Sequence, residues 1–177
     1  MLRFVKWIGI ALLLAIGGLI IAAALRPDDF VVSRSRVIEA PPERLFPLIE
    51  DLRAFNTWNP FVAGDTEMPL SYEGAVKGAG AVNRFGPGKG GAGTLSVVAV
   101  EPPSHVAMKL DMVAPIEAHN DIDFRLQPEG TGTRVTWSMR GRVPFLAKIL
   151  HVVIDMDSMV GGQMQTGLAA LARKTEK

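Results

Sequence analysis

PFLAKILHVVIDMDSMVGGQMQTGLAAL, Pro144 to Leu171, decides the fold. Its apolar residues Leu146, Ile149, Val153, Met156, Val160, Met164, Leu168 and Leu171 recur every three or four positions, the period of one face of an α-helix. The spacing predicts one long amphipathic helix closing the chain. Gly161-Gly162 in its middle costs ~1 kcal/mol per residue relative to alanine, so close packing or a kink is expected there.

Upstream, from Leu70 to Arg142, the period changes to two. Short runs alternate between apolar and polar residues and are separated by Gly and Pro clusters, which predicts an antiparallel meander. In Val106 to Met112 the apolar set lies on one face, with Lys109 and Asp111 on the other. Ile122, Phe124 and Leu126 repeat the pattern, as do Val135, Trp137 and Met139. Before the meander, Val31 to Ile38 reads as a first strand stopped by Pro41-Pro42. Pro42 opens a short helix bearing Leu45, Phe46, Leu48 and Ile49, and Leu52 to Trp58 reads as a second short stretch, helical or looped.

At the N-terminus, Trp7 to Leu25 runs nineteen residues without a charge, long enough at ~1.5 Å per residue to cross the ~30 Å core of a bilayer. Arg3 and Lys6 precede it, whereas Asp28 and Asp29 follow Arg26, so a cytoplasmic N-terminus and an exported C-terminal domain are expected. The same features fit a cleaved signal peptide, with Ala22-Ala23-Ala24 at the cleavage site. A buried core helix would carry a polar face, and this segment has none. The organisation read from sequence is a basic N-terminus (1–6), a single-pass inner-membrane helix of a bacterial type (7–25), a linker (26–29) and one domain (30–177).

Of the 19 Lys and Arg, Arg3 and Lys6 precede the apolar run, which leaves 17 against 18 Asp and Glu in the domain. That balance lacks the basic field nucleic acid requires. There is no cysteine, which excludes disulfides, thiolate metal sites and thiol nucleophiles.

The stretches Ile38 to Glu43 with Leu45-Phe46, Trp58-Asn59-Pro60-Phe61, Gly132 to Met139, Met156 to Gly161 and Gly167 to Leu171 occur in an order and spacing that resembles the polyketide cyclase/dehydrase-like branch of the START and Bet v1-like (SRPBCC) superfamily. The resemblance spans Phe30 to Ala172. It implies an α+β helix-grip fold, a curved antiparallel sheet around a long C-terminal helix with a cavity between them. That superfamily hosts carriers, lipid-transfer domains, cyclases and co-chaperone-like modules, so the site must be read from its residues.

Projecting the alternation inward puts Met108, Met112, Trp137 and Met139 on the sheet side and Met156 and Met164 on the helix side of such a cavity. Methionine is flexible and polarizable and suits an irregular apolar ligand, although it equally fills an ordinary core. Trp58 and Phe61, with Tyr72 and Phe85, are expected at the wall or mouth; a core role for Trp58 fits as well. Asn120 faces inward and His119, Asp121 and Asp123 outward. An inward amide orients a carbonyl or hydroxyl but shuttles no protons. His119-x-Asp121-x-Asp123, three groups on one side of a strand, is the weaker reading as a metal or acid/base site, because a charged outer face is ordinary there; a register slip of one residue would reverse that.

Gly86-Pro87-Gly88-Lys89-Gly90-Gly91 has GxGxxG spelling, but Thr94 to Val97 follows where a dinucleotide site needs a helix, so a hairpin loop is expected. His105 and His151 are read as solvated. No catalytic residue, metal or cofactor is assigned. The reading is a membrane-tethered domain that binds a hydrophobic small molecule or lipid. The alternatives are a cyclase or dehydratase, which would need an inward His, Asp or Glu, and an interaction module with a closed core.

Overall fold

In the computed structural model, which describes residues 2–25, 27–88, 90–143, 148 and 156–175, seven strands form a single antiparallel sheet in the order β1-β7-β6-β5-β4-β3-β2. The strands are β1 (Asp29–Ile38), β2 (Leu70–Gly74), β3 (Ala81–Gly88), β4 (Gly91–Glu101), β5 (His105–Ala114), β6 (Ala118–Glu129) and β7 (Gly132–Arg142). The meander therefore follows chain order, and β1 joins it by pairing with β7 from Asp29↔Arg142 to Ile38↔Thr133. Register shifts within β3/β4 and β4/β5 bend the sheet.

Helix α1 (Leu2–Ala24) precedes the sheet. Its stretch Lys6–Ala24 has a mean hydropathy of 2.5 and is long and apolar enough to be a membrane span or a signal sequence. Trp7, Leu13, Leu14 and Ile21 stand exposed on it, so it is no core helix of the domain.

Between β1 and β2 the chain makes four short helices where two were expected: α2 (Pro42–Leu45), α3 (Pro47–Glu50), α4 (Leu52–Asn56) and α5 (Pro60–Ala63). Pro47 has no N–H to continue the first helix and sits at the start of the next. Asp51 caps α4 by accepting from Arg53 N at 2.8 Å, and Asn59 caps α5 by accepting from Phe61 N at 3.2 Å.

The closing helix is described as α6 (Met156–Thr175), and Leu146, Ile149, His151 and Val153 lie outside the described residues. Its buried face is Val160, Met164, Leu168, Leu171 and Ala172, packed along β1 and against α2 and α5. The doubled glycine has a local cause on one side: a Cβ on Gly161 would lie 2.2 Å from Arg34 Nη2, while Gly162 meets only open space. The Arg34 guanidinium passes across Gly161 to hold Asp157 Oδ2 at 2.7 Å.

Candidate functional site

The core between sheet and helices is filled at one end and hollow at the other. At the filled end Phe55, Trp58, Phe124 and Trp137 form a cluster of ring contacts, with Phe55 and Trp58 edge to face at 4.8 Å and Phe124 and Trp137 tilted at 5.0 Å. Met108, Leu126, Met164 and Leu168 complete it, each buried.

Along the same strands toward the other end, side chains no longer meet. A cavity of about 440 Å³ opens there, within the range of small-molecule sites. Its wall includes Leu110 and Met112 from β5, Ala118, Asn120 and Ile122 from β6, and Trp137 and Met139 from β7. Phe61 and Val62 of α5, Phe85 of β3 and Met159 and Val160 of α6 face them.

The start of β1 (Phe30), the end of β5, the start of β6 and the end of β7 (Arg142) all contribute, and these strand ends are adjacent in the register. The hollow end of the sheet is thus the end that α1 feeds. Asp28, in the connection from α1, is ion-paired with the buried Lys148, whose hydrogen bond holds the Asp28 carboxyl below its usual pKa.

Six residues expected at the site line this cavity: Phe61, Phe85, Met112, Asn120, Trp137 and Met139. Trp58 does not; it is buried in the aromatic cluster and donates from Nε1 to Leu48 O at 2.8 Å. Met108 and Met164 point inward as read, but at the filled end, where neighbouring side chains close over them. Tyr72 stands one layer back, its Oη accepting from Asn56 Nδ2 at 3.1 Å and its ring covered by the Arg53 guanidinium at 4.3 Å. Met156 opens α6, and its side chain lies outside the described residues.

Three amides besides Asn120 reach the wall that sequence reasoning missed: Asn56, Asn59 and Asn83. Asn83 was findable, because the alternation that turns Phe85 inward turns Asn83 inward too. Asn56 carried no such signal, since its direction depends on the short α4. The two form a unit: with its amide oriented to satisfy both ends, Asn83 donates to Ser71 O and Arg84 O at 3.2 Å and accepts from Asn56 Nδ2 at 3.0 Å.

The outer face separates the charged groups into pairs. His119 Nδ1 lies 2.6 Å from Asp111 Oδ1, and that hydrogen bond raises the His119 pKa. His105, read as solvated, is instead largely buried and lies 2.8 Å from Asp123 Oδ1. Among the described residues no three His, Asp or Glu side chains converge as a metal site would require. The glycine-rich stretch at 86–91 is the β3–β4 hairpin, with Gly88 opposite Gly91 and a strand following; Lys89 lies outside the described residues. Among the described lining residues the only ionisable side chain is Arg142, which is 91% exposed at the rim.

Solved structures share this architecture. Protein CV1439 from Chromobacterium violaceum superposes with a TM-score of 0.61 at 18% identity, over 83% of this chain and 97% of that one. Mll3558 from Rhizobium loti gives 0.57 at 25% identity, over 82% and 96%. The Aha1 dimer from Colwellia psychrerythraea gives 0.57 at 16%, over 81% and 93%. Among curated protein sequences nothing matches the chain. The family described as polyketide cyclase / dehydrase and lipid transport matches residues 29–176, so the sheet, the closing helix and the cavity between them are those of a member of that family, to which this chain belongs.

Proposed function

We propose that this protein binds a hydrophobic small molecule or lipid in the cavity between sheet and closing helix, while α1 holds the domain at a membrane. The observation that carries the reading is the cavity itself: about 440 Å³ behind a wall of Leu110, Met112, Ile122, Phe61, Phe85 and Met139. Burying an apolar ligand against such a wall removes both surfaces from water, at roughly 25 cal/mol per Å². Acid/base cyclase chemistry needs a positioned proton donor or acceptor. The described wall presents amides and an indole where that reading needs a carboxylate or imidazole.

The placement of the mouth supports the membrane half of the proposal. Only four residues lie between Ala24 and Asp29, and the five steps reach at most about 17 Å. The lip beside the mouth carries exposed apolar side chains, Val113 and Ile116 of the β5–β6 hairpin and Met159 of α6. A ligand that partitions into the bilayer would enter without crossing much water. The positive flank of α1 supports an exported position for the domain.

The test is photolabelling of the full chain in lipid nanodiscs with a diazirine-bearing fatty alcohol, mapped by peptide mass spectrometry. Saturable labelling of Leu110, Met112 and Ile116 is expected. Labelling that never saturates and stays within residues 7–25 would overturn the proposal.

A further inference from the structure

The cavity wall is largely apolar, and some of its neutral polar atoms are left without hydrogen-bond partners among the described residues. Asn56 Oδ1, Asn120 Oδ1 and Trp137 Nε1 are each buried and unpaired among the described residues. Their side chains all line the cavity, and their residues are only 7%, 9% and 1% exposed. A buried indole N–H or amide oxygen ordinarily finds a partner, because leaving it unpaired forfeits its hydration for nothing.

Each of the three is held in place. Asn56 commits its Nδ2 to Tyr72 and Asn83, which turns its Oδ1 away from them. Asn120 lies opposite Gly141, where a Cβ would come within 2.0 Å of Asn120 Oδ1, so the amide occupies the space a side chain at 141 would take. The Trp137 ring is packed against Phe55, Phe61 and Phe124. Two acceptors and one donor, on side chains that line the cavity, are therefore left without a partner among the described residues.

We propose that Asn56, Asn120 and Trp137 read a hydroxyl group on a neutral ligand with an apolar body. This rests on the cavity being a binding site. A hydroxyl suits the set best, since it donates to an amide oxygen and accepts from the indole N–H. A buried carboxylate or phosphate would meet two amide oxygens, while among the described lining residues the cation is Arg142, out at the rim. A bare hydrocarbon would leave the three atoms unpaired.

The test uses one ring skeleton in three forms: fluorene, 9-fluorenol and fluorene-9-carboxylate. Each is titrated into the full chain in lipid nanodiscs with 15N-labelled tryptophan, with affinities corrected for bilayer partition. The proposal expects 9-fluorenol to bind about tenfold more tightly than fluorene. It also expects a downfield shift of the Trp137 indole proton, assigned on the unmutated chain by its NOEs to the Phe61 and Phe124 rings, and loss of most of the fluorenol advantage in Asn120→Leu with fluorene binding kept. The indole shift is read on the unmutated chain, so it decides the matter even if a variant fails to fold. Equal binding of all three forms, or tightest binding of the carboxylate, would overturn the polar readout while leaving the cavity a binding site. If none of the three saturates, the cavity reading and this inference fall together.

Discussion

Strands β5 and β6 carry the same alternation from end to end, yet their two ends have different fates. At one end Val106 lies opposite Phe124, both fully buried; at the other Leu110 and Met112 lie opposite Asn120 and Ala118 around empty space. Alternation fixes which face of a sheet is dry. Whether that face is filled depends on what the opposing helices deliver, and here they deliver Trp58, Met164 and Leu168 to one end only.

The largest difference between the ends should appear on truncation. Phe124→Ala is expected to cost about 3–5 kcal/mol, because its neighbours cannot collapse into the space. Met112→Ala, whose side chain already borders a void, should cost under about 1 kcal/mol in the same denaturant titration. Equal losses would break the comparison.

Enlargement should give the reverse contrast, somewhat smaller. A Cβ on Gly167 of α6 would sit 2.8 Å from Trp137 Cζ3 and 2.8 Å from Pro60 Cδ, so Gly167→Ala should destabilise the filled end by about 1–3 kcal/mol. Ala118→Phe projects into the hollow end and should change stability by less than about 1 kcal/mol while suppressing photolabelling of Met112.

What could be read in advance follows the same division. The inward set Ile122, Phe124 and Leu126, with Asn120 beside them and His119 and Asp121 outside, follows from a period of two and needs no tertiary information. The roles of Trp58, Met108 and Met164 do not. Each points inward, but whether an inward residue packs or lines a cavity is set by partners far along the chain, such as Trp137 for Trp58. The break at Pro47 and the Asn56–Asn83 pair were hidden for the same reason, since one depends on a proline's missing donor within a run of helix formers and the other joins α4 to β3.

The smallest effect concerns the outer face. His119 binds its proton more tightly in the folded chain than the usual pKa of 6.5 implies, because Asp111 accepts its hydrogen bond. The pairing therefore stabilises fully below about pH 6.5 and fades as the pH rises through the raised folded value. Both side chains are largely exposed, so His119→Gln should lower the melting temperature by no more than about 3 °C near pH 5.5 and leave it unchanged near pH 9. A deficit that persists at the higher pH would mean that His119 acts through packing.

The central claim is that the hollow end is a place for a ligand. Its most direct test is native mass spectrometry of the full chain released from lipid nanodiscs, comparing the unmutated protein with Ala118→Trp. One apolar molecule retained per chain, and lost in the variant, is the predicted result. Equal retention in both, or none in either, would contradict it.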